Sequence, residues 1–333
     1  MSDLTLTKKD FTSDQEVRWC PGCGDYSILS TMQSFLPELG VPRENVVFIS
    51  GIGCSSRFPY YLNTYGMHSV HGRAPAIATG LAITRPDLSV FVITGDGDSL
   101  SIGGNHLIHA LRRNIEIKII LFNNRIYGLT KGQYSPTSEQ GKVTKSTPYG
   151  SLDTPFNPIS LAIGAEASFV ARSVDSDRKH LTEVLRAASA HKGSALIEIY
   201  QNCPIFNDGA FDSVKDSDLK AETLLQMIDG QPIKSTTHGV VRDNGSLLLR
   251  ELSNITESDL VVHDSHNPDP AYAFALSRLS SSILDHVPVG VFRDVARESY
   301  SAQVNAQIAE TIAQTGPGDL AALISSGDTW MVE

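Results

Sequence analysis

Up to about residue 200 the chain is marked by continuous apolar runs instead of alternating ones. Val46-Val-Phe-Ile-Ser50, Leu88 to Thr94, Ile117 to Phe122, Ser168 to Arg172 and Ala195 to Tyr200 are rich in aliphatic and β-branched residues and end in polar turns. Runs of that length and composition read as strands buried on both faces. Helical segments lie between them: Tyr26 to Leu39, Ala74 to Thr84, Asn105 to Arg113, Ile159 to Ile163 and Asp177 to His191. Asn157-Pro158 supplies an N-cap and a first-turn proline for the fourth. This alternation predicts a doubly wound α/β fold, a mostly parallel sheet with helices on both faces.

Two stretches break the pattern. Residues 124 to 156 are rich in Gly, Ser, Thr, Lys and Pro with little hydrophobic period. A loop that long inside a domain is usually functional or disordered. Beyond about residue 230 the elements are short, among them Gly239-Val-Val-Arg-Asp243 and an Ala/Ser-rich helix from Pro270 to Leu284. The expected division is an N-terminal segment 1–25, a main domain 26–229 and a C-terminal extension 230–333.

The 333 residues are 41% hydrophobic and 19% charged, which suits a large buried core. The longest apolar run, Ile115 to Asn123, includes Glu116 and Lys118 and falls far short of the roughly 20 residues of a membrane span. The N-terminus lacks the apolar segment of a secretory signal, so a cytoplasmic protein without a membrane partner is expected. A net charge of −10 argues against binding nucleic acid, which relies on neutralising phosphates.

Candidate chemistry gathers at strand ends. Thr94-Gly95-Asp96-Gly97-Asp98 closes one buried strand, and Phe122-Asn123-Asn124-Arg125-Ile126 closes the next. With one helix between them the two motifs share the carboxyl edge of the sheet, where open α/β folds bind ligands. The Asp96 carboxylate, the Asn124 side-chain oxygen and a carbonyl such as that of Ile126 suit an octahedral magnesium ion. Taken alone, Gly-Asp-Gly would be a strand-ending turn. Gly51-Ile-Gly53 approaches a dinucleotide fingerprint, but Ser56 stands at the third glycine position. An EF-hand reading of Asp96-Gly-Asp98 lacks the later ligands.

The chain has four cysteines, Cys20, Cys23, Cys54 and Cys203, all beside turns or strand ends. In a reducing compartment they point to metal binding, and a structural zinc site or an iron–sulfur cluster would suit them equally. Cys54 and Cys203 should lie on the edge that carries Asp96 and Asn124.

Gly-Asp-Gly followed one βαβ unit later by Asn-Asn resembles the thiamine-diphosphate motif. Gly51 to Arg57, His71-Gly-Arg73, Leu129-Thr-Lys-Gly-Gln133 and Trp19-Cys-Pro-Gly-Cys-Gly24 resemble segments of 2-oxoacid:ferredoxin oxidoreductase beta subunits. The likeness spans about residues 11 to 215, and Tyr127 to Ser146 looks most like the 2-oxoglutarate branch. It implies oxidative decarboxylation of 2-oxoglutarate to succinyl-CoA and CO₂, with electrons passing through one 4Fe-4S cluster to ferredoxin.

By that resemblance Asp96, Asn124 and the Ile126 carbonyl hold magnesium, while Cys20, Cys23, Cys54 and Cys203 hold the cluster. Gly53, Ser55, His71, Gly95, Gly97, Asp98, Gly128, Leu129 and Thr130 line the thiamine diphosphate site. His71 is placed to orient the diphosphate or a carboxylate. Arg57, and after it Lys131, are candidates for the substrate's distal carboxylate. The implied partners are an alpha subunit in an alpha2beta2 assembly, coenzyme A, the 2-oxoacid and ferredoxin. Lys131, Lys142, Lys145 or Arg112-Arg113 could form a basic patch for ferredoxin.

Overall fold

The computed structural model describes residues 6–280 and 283–332. Six strands run parallel to one another: β1 (Val46–Ser50), β2 (Tyr65–His68), β3 (Ser89–Gly95), β4 (Lys118–Asn123), β5 (Phe169–Val174) and β6 (Ala195–Tyr200). Four more follow: β7 (Leu224–Met227), β8 (His238–Asp243), β9 (Ser246–Glu251) and β10 (Val287–Asp294). The main sheet has the order β2-β1-β3-β4-β6-β5-β10-β7, with β10 antiparallel to β5. The helices of this part are α1 (Asp25–Phe35), which precedes β1, and the connecting α2 (Ala74–Thr84), α3 (Asp96–Leu100), α4 (Gly104–Arg112), α5 (Pro158–Gly164) and α6 (Arg178–Ala190).

Each strand sends alternate side chains to two cores, as the pleat requires. Val47 and Ile49 of β1, Val90 and Val92 of β3, and Ile119 and Leu121 of β4 enter one. Val46 and Phe48, Phe91 and Ile93, and Ile120 and Phe122 enter the other, where Phe48 and Phe91 stack with centroids 4.9 Å apart. The first face is covered by Ala74, Ala78 and Ala82 of α2, whose small side chains let the helix sit close, and by Leu107 and Leu111 of α4. On the second face α6 places Leu181, Val184, Leu185 and Ala188, the i, i+3, i+4, i+7 spacing of one helical stripe. The sheet is doubly wound, as expected.

Local departures have physical causes. The helix expected over Tyr26 to Leu39 ends as an α-helix at Phe35 and tightens to a 3₁₀ turn over Leu36–Leu39, where Pro37 offers no backbone donor. The helix expected over Pro270 to Leu284 covers Pro270–Ser277, and residues 281–282 of that span lie outside the described residues. Short elements without a legible period, β2 and α3, were not expected.

The stretch beyond residue 230 is built into the same body. Its β8–β9 hairpin turns at Asn244-Gly245, both with positive φ (48° and 84°), the demand of a two-residue hairpin loop. Val240 and Leu247 enter the first core, and β10 closes the sheet beside β5. A buried ion pair joins these parts: Arg172 Nε lies 2.7 Å from Glu198 Oε2, and Arg172 also donates to the Pro288 carbonyl of β10 at 3.2 Å.

Candidate functional site

Strands β1, β3, β4 and β6 are consecutive neighbours, so the turns after Ser50, Gly95, Asn123 and Tyr200 leave the sheet side by side at its carboxyl edge. Two adjoining cavities open there. The first, of about 270 Å³, is lined by Gly53, Ser55, His71, Gly95, Asp96, Gly97, Asp98, Asn124, Ile126, Gly128, Leu129 and Thr130. Every residue expected at the diphosphate therefore faces one space.

The turns are shaped by close approaches. A Cβ on Gly97 would fall 2.0 Å from the Tyr127 ring, whose hydroxyl donates to the Gly97 carbonyl at 3.1 Å. Gly51 has no room beside Asp98, where a Cβ would lie 1.7 Å from Oδ2. Asp98 itself accepts from the Gly72 N–H at 2.7 Å and the Thr94 hydroxyl at 2.9 Å. It braces three turns against one another while lining the cavity. Arg125, at φ 57°, holds the left-handed conformation between Asn124 and Ile126. Asn124 Oδ1 accepts from the Ile126 N–H at 3.1 Å.

Asp96 begins α3 and is buried, and burial pushes its carboxyl up to about 6 in spite of hydrogen bonds that favour the charged form. The donors come from the long loop 124–156: Ser135 Oγ at 2.5 Å and Thr137 Oγ1 at 2.6 Å, both to Asp96 Oδ2. This loop carries no helix or strand, yet it is held by a Tyr127–Gln133 bridge and by the Gly141 N–H donating to the Ser151 carbonyl at 2.8 Å.

The second cavity, of about 250 Å³, is lined by all four cysteines together with Trp19, Leu129 and Phe206. Specific bonds bring the N-terminal pair to the sheet edge. Trp19 Nε1 donates to the Cys54 carbonyl at 2.7 Å, and the Gly24 N–H donates to the Asn202 carbonyl at 3.1 Å. Gln201 Nε2 lies 3.2 Å from Cys23 Sγ. Burial pushes the Cys54 thiol up to about 11 and raises those of Cys23 and Cys203 as well. Among the described residues, no three His, Cys, Asp or Glu side chains close on a single point.

Asp25, Cys54, Asn124, Gly128, Leu129 and Gln201 line both cavities, so one wall separates them. Asp25 is 1% exposed, its Oδ1 has no hydrogen-bond partner, and burial pushes its carboxyl up to about 7.

His71 lines the first cavity only. Arg57 lies in the second, where it donates to the Arg18 carbonyl at 2.6 Å, and Lys131 stands at the same cavity. Lys142 is bonded to Asn207, whose Nδ2 donates to the Asn124 carbonyl at 2.9 Å. Asp25, Ser135, Thr137 and Asn207 were not foreseen. The position of Asp25 beside Cys23-Gly24 was the one available hint. The other three come from loops whose return path depends on tertiary packing.

Residues 51–199 match the family model of the thiamine pyrophosphate enzyme C-terminal TPP binding domain, so the chain has a thiamine diphosphate-binding domain. The match stops short of Cys20, Cys23 and Cys203, which flank that domain. Over 337 aligned positions the chain is 62% identical to 2-oxoglutarate oxidoreductase subunit KorB of Mycobacterium tuberculosis, covering 100% of this chain and 90% of that one. It is 50% identical to a 2-oxoacid:ferredoxin oxidoreductase subunit beta of a Sulfolobus species, over 57% of this chain and 63% of the relative. The solved 2-oxoglutarate:ferredoxin oxidoreductase of Magnetococcus marinus, which holds 2-oxoglutarate, coenzyme A and succinyl-CoA, matches with TM-score 0.77 and 33% identity over 98% of both chains. With the fold, the adjoining cavities and these full-length likenesses in agreement, the chain belongs to the beta subunits of the 2-oxoacid:ferredoxin oxidoreductases, in their 2-oxoglutarate oxidoreductase branch.

Proposed function

We propose that this beta subunit works with an alpha subunit in the oxidative decarboxylation of 2-oxoglutarate to succinyl-CoA and CO₂, passing electrons through one 4Fe-4S cluster to ferredoxin. Asp96, Asn124 and the Ile126 carbonyl would hold the magnesium ion that carries the diphosphate. The fit is chemical: a carboxylate desolvated at a cavity floor favours a neighbouring cation, and magnesium takes oxygen donors of these kinds. Cys20, Cys23, Cys54 and Cys203 would ligate the cluster. Buried thiols resist ionisation, and iron supplies the positive charge that stabilises them as thiolates. Thiamine diphosphate, when bound, supplies the electron sink for loss of CO₂, and the cluster takes electrons one at a time.

The chain's own residues bind and orient. Gly53, Gly95 and Gly97 let the backbone approach the diphosphate, His71 faces it, and Ser55 offers a hydroxyl. Arg57 and Lys131, both at the adjoining cysteine-lined cavity, would supply positive charge for a distal carboxylate, alone or with a group from the partner.

One observation carries the reading: the cavity with the family's thiamine motif and the cavity with all four cysteines share a wall. Electrons released in the first then have an acceptor next door. The test is EPR on the assembled, anaerobically purified complex. Adding 2-oxoglutarate and coenzyme A should produce a reduced iron–sulfur signal. A colourless protein with stoichiometric zinc, or decarboxylation without cluster reduction, would overturn the proposal.

A further inference from the structure

We infer that Ser135 and Thr137 are positioning residues for the metal: they fix the Asp96 carboxylate in the orientation that meets the cation, and they tie the folding of loop 124–156 to metal binding. This rests on the reading of Asp96 as a magnesium ligand.

Ser135, Thr137 and Asp96 are 2%, 3% and 3% exposed, so the contact is made away from water. Both hydroxyls reach the same carboxylate oxygen, Oδ2, at 2.5 and 2.6 Å. Two donors on one oxygen resist rotation of the carboxylate and leave Oδ1 outside their grip. Thr137 Oγ1 is also 2.9 Å from Asn123 Oδ1, but a hydroxyl has one proton to give. The charged oxygen, which is also the nearer, takes it. Asn123 Oδ1 keeps the Arg125 N–H at 3.2 Å.

The two hydroxyls are themselves held. The Ser135 N–H donates to Ser138 Oγ at 2.8 Å, and Ser138 Oγ donates to the Arg125 carbonyl at 2.6 Å. This small turn is therefore anchored on the turn that carries Asn124. Asn123 Nδ2 donates to Glu198 Oε1 at 2.7 Å, which fixes the amide with Oδ1 toward Thr137. Side chains 135 to 138 thus join the turn after β3 to the turn after β4, the two that supply the proposed magnesium ligands. A buried hydroxyl pair that served packing alone would not need to converge on one oxygen of that carboxylate.

The test measures magnesium affinity by calorimetry on the assembled enzyme at saturating thiamine diphosphate. Thr137→Val and Ser135→Ala should each weaken magnesium about ten- to a hundredfold, the scale of a lost hydrogen bond to a charged group. Thr137→Ser, which restores the hydroxyl, should stay close to wild type. If Thr137→Val does not fold, Ser135→Ala decides. Unchanged affinity in the hydroxyl-deleted variants, with loss in Asp96→Asn, would overturn the inference and leave the site reading standing. Unchanged affinity in Asp96→Asn would overturn both. Thr137→Ser as weak as Thr137→Val would make the methyl group the working part and overturn the inference.

Discussion

Cys54 and Cys203 flank Gly128: a methyl group there would lie 3.6 Å from the sulfur of Cys54 and 3.8 Å from that of Cys203. These cysteines come from the turns after β1 and β6, and a methyl group between them would just touch both sulfurs, leaving no room for further carbons on that side. Iron and sulfide analysis of anaerobic protein should therefore give about four of each per chain, the content of one 4Fe-4S cluster. Gly128 does not have positive φ, so Gly128→Val should fold, yet its added carbons should displace the sulfurs. Iron content in Gly128→Val should fall to less than half, with the circular dichroism unchanged. Full iron in this variant would show that the sulfurs do not need the space.

Arg172 and Glu198 are 1% and 0% exposed in their side chains and form the core ion pair between β5 and β6. Removing one partner leaves the other charge buried and uncompensated. Arg172→Met should cost about 3–5 kcal/mol, measured by denaturant unfolding. Because Glu198 also orients Asn123, the variant should weaken magnesium binding as well. A stability loss of less than about 1 kcal/mol, the range of an exposed pair, would contradict this account.

Strand ends were legible because parallel strands buried on both faces must be apolar throughout, and their polar ends mark one edge of the sheet. That logic brought Cys54, Asp96, Asn124 and Cys203 together before any coordinates. Arg172 was misleading for the same reason: a charge after Phe169-Val170-Ala171 reads as a strand terminus, whereas β5 runs on to Val174 with Arg172 paired inside. Thr137 could not be read at all. A Ser/Thr-rich loop has no period, and its return to Asp96 is set by packing against the turn at Asn124.

Substrate choice should favour 2-oxoglutarate over pyruvate in kcat/KM. A distal carboxylate that loses its water needs a cation or several donors. Arg57 Nη1 donates to the Arg18 carbonyl at 2.6 Å, which fixes the guanidinium in the cysteine-lined cavity that adjoins the thiamine site. Arg57→Leu should lower kcat/KM for 2-oxoglutarate by about tenfold or more, with a smaller effect on pyruvate, because only the longer acid presents the second charge. Equal losses on both acids would assign Arg57 to folding or to the cluster, and a wild-type preference for pyruvate would overturn the substrate assignment.

The chain alone should not turn over. The matched family model is a C-terminal TPP binding domain over residues 51–199, and the resemblance to thiamine enzymes implies that a glutamate from another domain assists the cofactor's aminopyrimidine. The stretch beyond residue 230 is no substitute, because its strand β10 is built into the sheet that carries the first half. The edge beside His71 also looks made for a neighbour. Strand β2 pairs with β1 on one side only, and Tyr60, Tyr65, Met67 and Val70 are 59%, 66%, 48% and 67% exposed around it. An exposed apolar strand edge of this kind invites association. Mixing the purified chain with its alpha subunit should restore 2-oxoglutarate-dependent viologen reduction. Tyr65→Asp and Met67→Asp should block complex formation, read by size-exclusion chromatography, without unfolding the chain. Viologen reduction by this chain, shown free of other subunits by mass spectrometry, would mean that the second half of the site lies within it after all.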